Sequence, residues 1–147
     1  MERATNETMI KINQNEIETI KGFVKKAYPD ECCGLLVGKI DGEQREVVEV
    51  HALTNLNTER SKDRYEIDPA EYMKVDRDVS TRKLDIIGIY HSHPDHPSRP
   101  SEFYAGRAWE GYSYLIIAIA NGSEFEMKSW VFHDSTKTFE EEKIENG

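Results

Sequence analysis

The sequence lacks the features that are typical of disulfide-linked, secreted or membrane-spanning proteins. Its two cysteines, Cys32 and Cys33, are neighbours, and adjacent residues rarely reach disulfide geometry, which argues against a disulfide-stapled scaffold. No apolar run approaches the roughly 18 residues that a membrane-spanning helix needs. Residues 1–8 are polar and contain no signal-peptide core. We therefore expect a protein of the reducing cytoplasm.

Positive charge is also scarce. The 147 residues include 19 Lys and Arg against 28 Asp and Glu, which gives a formal net charge of −9. Nucleic acids and anionic membranes both favour a basic face, so neither is expected as the main partner. The length fits one domain with a core of its own. We expect a single domain over residues 1–147, with its core in about 9–133.

The apolar pattern predicts helices packed on a largely antiparallel sheet, a mixed α/β fold. One helix is predicted after Asn13, which has capping-box spacing to Glu16, and another after Asp68, with Pro69 at its first position. Strands are predicted at 9–12, 33–37, 45–52, 85–90, 112–120 and 124–132. Residues 91–100 contain three of the five prolines and are predicted as a loop. A short helix from 101 to about 109 follows, and the charged tail from 137 is expected to fray or to form a helix.

Two histidines directly after a predicted buried strand are the first candidate functional residues. His91 and His93 are two positions apart, and alternate residues of an extended chain point to the same face. Two imidazoles on one face can bind one metal ion, most often zinc, whose catalytic sites supply three protein ligands and a water. A lone His-x-His pair is more often two exposed loop histidines, so the pair acquires meaning only from its surroundings.

Those surroundings resemble the JAMM (MPN-plus) metalloproteases. The family motif is an upstream Glu, then His-x-His, seven residues, Ser, two residues and Asp. Glu31 opens Glu31-Cys32-Cys33-Gly34, His91-Ser92-His93-Pro94 follows, and seven residues separate His93 from Ser101. The small bacterial branch is closer still, through Asp95-His96-Pro97, Arg99-Pro100-Ser101-Glu102, Ala108-Trp109 and residues 111–115. The resemblance covers about residues 9–133.

The resemblance implies a cytidine-deaminase-like MPN/JAMM fold with one Zn²⁺. It implies that His91 and His93 are metal ligands and that Ser101 steadies the tetrahedral oxyanion. Glu31 is implied as the general acid/base that takes a proton from the attacking water and returns it to the leaving amine. The implied reaction is hydrolysis of the amide bond after the C-terminal Gly-Gly of a ubiquitin-like sulfur-carrier protein. That carrier is the implied partner, and a homodimer is one option for the oligomeric state.

One position departs from the motif. Tyr104 stands where the family has its Asp ligand, between Phe103 and Ala105. A neutral phenol is a poor ligand, because its pKa of about 10 must fall before phenolate can bind. Three interpretations stay open: Tyr104 binds the metal directly or through water with reduced activity, Glu102 substitutes as the carboxylate, or the site is metal-poor. In the last case the protein is a catalytically inactive MPN-type binding module.

The remaining candidates are expected to have structural roles. Cys32 and Cys33 are predicted to pack at the start of a strand, and their side chains cannot both join one site. His96 is expected to be a solvated residue of the proline-rich loop, and a place at the border of the site is the alternative. Trp109 is expected in the core. Tyr65 belongs to a stretch with Arg60 and Arg64 that resembles a family segment near the substrate groove.

Overall fold

The computed structural model describes residues 8–100 and 108–146, and this part of the chain contains seven strands and two helices. The strands are β1 (Met9–Ile12), β2 (Cys33–Asp41), β3 (Gln44–Leu53), β4 (Asp85–Pro94), β5 (Ser113–Ala120), β6 (Glu124–His133) and β7 (Thr138–Asn146). The helices are α1 (Gln14–Ala27) and α2 (Pro69–Thr81). Within the described residues, neither helix combines the length and the apolar character that a membrane crossing requires.

Both helices begin at the caps that the sequence predicts. The Asn13 side chain accepts a hydrogen bond from the backbone N–H of Glu16 at 3.0 Å. The Asp68 side chain accepts from the N–H of Ala70 at 2.9 Å, and Pro69 takes the first helical position. Each cap satisfies an amide that the helix start would otherwise leave unpaired.

The seven strands close into a barrel in the order β1-β3-β2-β4-β5-β6-β7. The pairs β2–β3, β2–β4, β5–β6 and β6–β7 are antiparallel. The pairs β1–β3, β1–β7 and β4–β5 are parallel. The mixed, mostly antiparallel α/β prediction is confirmed. Closure of the barrel was not predicted, because the local apolar pattern does not specify which distant strands become neighbours.

The sheet separates two apolar clusters, one on each face. Alternation along β2 shows this directly: Leu36 belongs to the cluster under α1, whereas Leu35 and Val37 belong to the cluster under α2. Helix α1 contributes Ile17, Ile20 and Val24 to the first cluster, and α2 contributes Val79 to the second. The strand that carries the candidate histidines, β4, therefore lies between two packed layers.

The predicted loop at 91–100 is wrong over its first four residues. Strand β4 continues through Pro94, because its parallel pairing with β5 runs from Gly88 opposite Ser113 to Pro94 opposite Ile119. The sequence pattern placed the end of the strand too early because the apolar run stops at Tyr90. The predicted short helix falls on residues 101–107, outside the described residues, and at 108–109, which are not helical.

The expectation of a frayed or helical tail is also wrong. Residues 138–146 form β7, which pairs antiparallel with β6 and parallel with β1. Most of its side chains are exposed and five of its nine residues are charged, so the sequence shows no clear apolar alternation. The buried Glu142 explains how a charged strand fits here, because its carboxylate accepts hydrogen bonds from the hydroxyls of Ser129 at 2.6 Å and Thr8 at 3.0 Å.

Candidate active site

The end of β4 brings His91 and His93 together, as their spacing suggests. Their Nε2 atoms lie 3.1 Å apart, and the residues are 3% and 2% exposed. Zinc–nitrogen bonds of 2.0–2.1 Å in a tetrahedral site would hold two ligand nitrogens about 3.3 Å apart. The pair therefore already has nearly the separation that a shared zinc ion requires. Hydrogen bonding of β4 to both β2 and β5 keeps its backbone in place.

Contacts around the two rings fix their orientation. His93 Nδ1 lies 2.6 Å from the carbonyl oxygen of Pro97. A carbonyl can only accept, so Nδ1 carries the proton and the lone pair is on Nε2. The His91 ring stacks on Tyr65, with ring centroids 4.5 Å apart and planes 26° apart. The resemblance of the Tyr65 stretch to a segment near the family's substrate groove thus agrees with its place beside the site.

Glu31 lies beside these rings because its backbone is anchored just before β2. Its N–H donates to the carbonyl of Ser61 at 2.5 Å, and its carbonyl accepts from the Asn55 side chain at 3.1 Å. The antiparallel pairing of β2 with β4 places Cys33 opposite His91. A residue two positions before Cys33 is thereby carried to the histidine end of β4.

The Glu31 carboxyl is fully buried, and neither of its oxygens has a hydrogen-bond partner among the described residues. Burial, with a smaller contribution from the charge of Asp63, raises the pKa of Glu31 to about 8. An unpaired buried carboxyl is costly unless a proton or a cation neutralises it. Glu31 is therefore suited both to exchange a proton near neutral pH and to face a metal ion.

His96 joins this cluster, although the sequence pattern places it in solvent. Its Nε2 lies 3.8 Å from the Glu31 carboxylate, and its ring stacks on His93 with centroids 4.1 Å apart. One candidate ligand atom each from Glu31, His93 and His96 lie within 4.8 Å of one another. The side chain is 38% exposed, so His96 is partly solvated and also borders the site, which is the alternative that the sequence left open.

A tight turn after β4 returns His96 over the histidine pair. Asp95 has φ of 58°, a left-handed conformation that Asp tolerates better than most residues. Its carboxylate accepts from the Tyr28 hydroxyl at 2.5 Å and from the N–H of Asn121 at 2.9 Å. Its own N–H donates to the carbonyl of Ile119 at 2.7 Å. The signal in the sequence was Asp95 itself, a residue that favours turns, directly before His96.

The segment 95–98, which contains His96, is held at its second end by the buried Ser98. The Ser98 hydroxyl donates to the Glu126 carboxylate at 2.7 Å, and its carbonyl accepts from the Trp130 indole N–H at 3.0 Å. Both partners come from β6. The carbonyl of Pro97, which orients His93, lies between these fixed points.

Burial keeps the two histidines of β4 neutral. It lowers the pKa of His93 to about 4 and the pKa of His91 well below its usual range. Neutral imidazole is the form that binds metal. Burial also raises the pKa of Cys32 to about 11 and of Cys33 to about 12, so both thiols stay protonated at neutral pH. Their thiolate chemistry is suppressed, in agreement with a packing role.

The described donor set fits a zinc ion. Imidazole nitrogens and a carboxylate are ligands that zinc accepts, and the buried Glu31 lacks any other described partner. Ser101, Tyr104 and Glu102 lie outside the described residues, so the oxyanion donor and the third ligand of the motif are not placed. His51 and His133 lie elsewhere, paired with Glu49 and Glu140.

An apolar cavity of about 350 Å³ adjoins the site. Tyr65, which stacks on His91, forms part of its wall, and Ile89 of β4 forms another part. Trp109 also lines it and is 47% exposed, which corrects its expected place in the core. The cavity therefore offers room for an apolar side chain next to the histidines.

The sequence and the fold match a known family. The chain belongs to the Prok-JAB family, the prokaryotic homologs of the JAB domain, whose sequence model matches residues 14–133. The fold is that of JAB/MPN domains. The family assignment agrees with the JAMM-type resemblance of the motif.

Individual proteins similar to this chain agree with the family assignment. A desampylase of Haloferax volcanii is 38% identical over 91 residues, covering 61% of this chain and 63% of that protein, so the match spans just under two thirds of its length. A CysO-cysteine peptidase of Mycobacterium tuberculosis is 28% identical over 130 residues, covering 88% of this chain and 86% of that protein. A Desulfitobacterium hafniense protein solved in solution superposes with a TM-score of 0.83 at 32% identity, covering 95% and 93% of the two chains. The names of both curated relatives are those of hydrolytic enzymes.

Proposed function

We propose that this protein is a zinc-dependent metallopeptidase that hydrolyses the amide bond after the C-terminal Gly-Gly of a ubiquitin-like sulfur-carrier protein. The observation that carries the proposal is the convergence of two neutral imidazoles, 3.1 Å apart, with a buried carboxyl that has no described hydrogen-bond partner. The relatives named desampylase and CysO-cysteine peptidase support the choice of a carrier tail as substrate.

In this proposal His91 and His93 hold the zinc ion through their Nε2 atoms. When bound, zinc supplies Lewis-acid polarisation and lowers the pKa of water toward 7. Glu31 accepts the proton of the attacking water and passes it to the nitrogen of the leaving amine. Burial raises the pKa of Glu31 to about 8 in the metal-free fold, and a cation beside it would lower that pKa and keep the carboxylate ionised to accept the proton. Ser101 is the proposed donor to the oxyanion.

The shape of the surroundings favours a narrow, flexible tail. Two glycines place no side chain against the buried His91 and His93, and the apolar cavity beside Tyr65 can receive a larger side chain from farther along the tail. Burial of Glu31 keeps bulk water from competing with the reacting groups.

Cleavage of a carrier protein tests the proposal. A ubiquitin-like carrier extended beyond Gly-Gly is incubated with the zinc-loaded protein, and the products are identified by mass spectrometry. We expect cleavage after the second glycine, its loss with a chelator, and a fall of at least about 100-fold with Glu31→Gln, because the proton acceptor is removed. Glu18→Gln, a change on the exposed face of α1, is the matched control and should retain full activity.

Tyr104 supports a second candidate, a binding module without hydrolysis. It replaces the family's Asp ligand, and loss of a ligand weakens metal binding. If neither the natural chain nor Tyr104→Asp cleaves the extended carrier in the presence of zinc, while both retain the carrier on a column, the peptidase proposal is wrong and the binding module is correct.

A further inference from the structure

We infer that His96 is the third protein ligand of the metal site and takes the place that the family motif gives to Asp. The inference rests on the proposed function, since it presupposes a zinc ion held by His91 and His93. It goes beyond the motif, in which no residue at this position is a ligand.

The need for another ligand follows from the sequence. Catalytic zinc sites use three protein ligands and leave one position open. His91 and His93 supply two, and Tyr104 offers a neutral phenol in place of the third. A site with two protein ligands would bind zinc weakly, so a third donor nearby would raise the zinc affinity strongly.

The structure places a third imidazole within reach. His96 Nε2 is 3.8 Å from the Glu31 carboxylate, and the His96 ring lies against that of His93. Candidate ligand atoms of these three residues fit within 4.8 Å. His96 Nε2 is buried, yet it has no hydrogen-bond partner among the described residues. A buried ring nitrogen and a buried carboxyl lie close together, and neither is hydrogen-bonded by a described residue. Such groups need an explanation, and a bound cation would satisfy both of them.

Binding requires the His96 ring to turn. The planes of His93 and His96 are 17° apart, and the lone pairs of two nearly parallel rings do not converge on one point. Rotation about the Cα–Cβ bond of His96 breaks no described hydrogen bond and moves a partly exposed side chain. The backbone stays where it is, because Asp95 and Ser98 anchor the segment on both sides of His96.

A set of three histidines also preserves the chemistry proposed for Glu31. With His91, His93 and His96 as ligands, the fourth position remains open and the carboxyl is free to accept a proton. A set that included Glu31 as the fourth ligand would be closed and would lack that proton acceptor.

Metal affinity tests the inference without relying on activity. Metal-free protein is titrated with zinc in competition with a chromophoric chelator. We expect His96→Ala to weaken binding at least about 100-fold, since removing even a residue that only supports a ligand costs 10–100-fold. His133→Ala, which removes an exposed histidine paired with Glu140, is the matched control and should leave the affinity unchanged. Cobalt(II) gives a second readout, because loss of a nitrogen ligand shifts its visible absorption.

The same titration in a Tyr104→Asp background separates a ligand from a general structural role. There the restored carboxylate serves as third ligand, so adding His96→Ala should cost less than about tenfold. If His96→Ala lowers zinc affinity equally with Tyr104 and with Tyr104→Asp, or lowers it in neither, the inference is wrong. The proposed peptidase function would remain intact in both cases. If the natural chain binds no zinc at all, this inference and the zinc dependence of the proposed function are both wrong.

Discussion

At the scale of single residues, Glu31 is one of the groups that couple stability to pH. Its pKa is raised from 4.5 to about 8 by burial, so folding takes up a proton between these values. The contribution of this carboxyl to stability is therefore fully present below about pH 4.5 and is lost as pH rises through 8. At pH 7 the loss amounts to about 3 kcal/mol.

Replacing Glu31 by Gln removes this penalty. In metal-free protein we expect Glu31→Gln to match the natural chain at pH 4.5 and to exceed its free energy of unfolding by about 3 kcal/mol at pH 7. Urea denaturation at a series of pH values in the presence of a chelator measures the difference, with Glu18→Gln as control. A difference that stays constant from pH 4.5 to 8 would show that folding does not raise the pKa of Glu31.

The residues of the site were predictable to different degrees. The shared face of His91 and His93 follows from their spacing, whereas their role as metal ligands was suggested only by the resemblance. The position of Glu31 depends on the register of β2 with β4 across 60 residues, so only the resemblance suggested it. The sequence favoured solvent over the site for His96, because its place depends on the turn at Asp95, which Tyr28 and Asn121 hold from distant parts of the chain.

At the scale of elements, the parallel pairing of β4 with β5 requires a glycine. A Cβ added at Gly88 would lie 2.3 Å from the backbone oxygen of Ser113, closer than real contacts allow. Only a residue without a side chain lets β5 approach the strand that carries the histidines.

Gly88→Ala should therefore destabilise the protein by about 1–3 kcal/mol, the usual cost of overpacking. Gly22→Ala is the matched control, because nothing lies within 4 Å of its added Cβ in α1. Alanine in a helix interior is favoured over glycine, so that change should stabilise by about 0.5–1 kcal/mol. Urea midpoints of the two variants should move in opposite directions. A midpoint for Gly88→Ala at or above that of the natural chain would contradict the close approach.

The elements themselves were predictable where local signals suffice. The caps at Asn13 and Asp68 fixed both helix starts, and apolar runs located the central strands. The strand β7 could not be predicted from its local sequence, because its exposed face is charged and the strands that it pairs with, β1 and β6, are set by the fold. The end of β4 could not be predicted either, because residues 91–94 belong to the strand through their pairing with β5 and not through apolar character.

At the scale of the whole molecule, zinc should act as a stabilising ligand. A ligand that binds only the folded chain adds about 2.7 kcal/mol at a concentration of 100 times its Kd. For a chain of this size we expect the melting temperature to rise by roughly 5–10 °C with zinc and to fall back with a chelator. His91→Ala should abolish this rise in differential scanning fluorimetry. An equal rise in that variant would mean that zinc binds elsewhere.

The seam between β1 and β7 has a consequence for synthesis of the chain. It joins residues 9–12 to residues 143–146, so a ribosome must add more than a hundred residues before it can form. At about 5–20 residues per second this takes on the order of ten seconds. During that interval Ile10 and Ile12, both fully buried in the finished fold, lack the strand that completes their surroundings, so their burial is among the last events of folding.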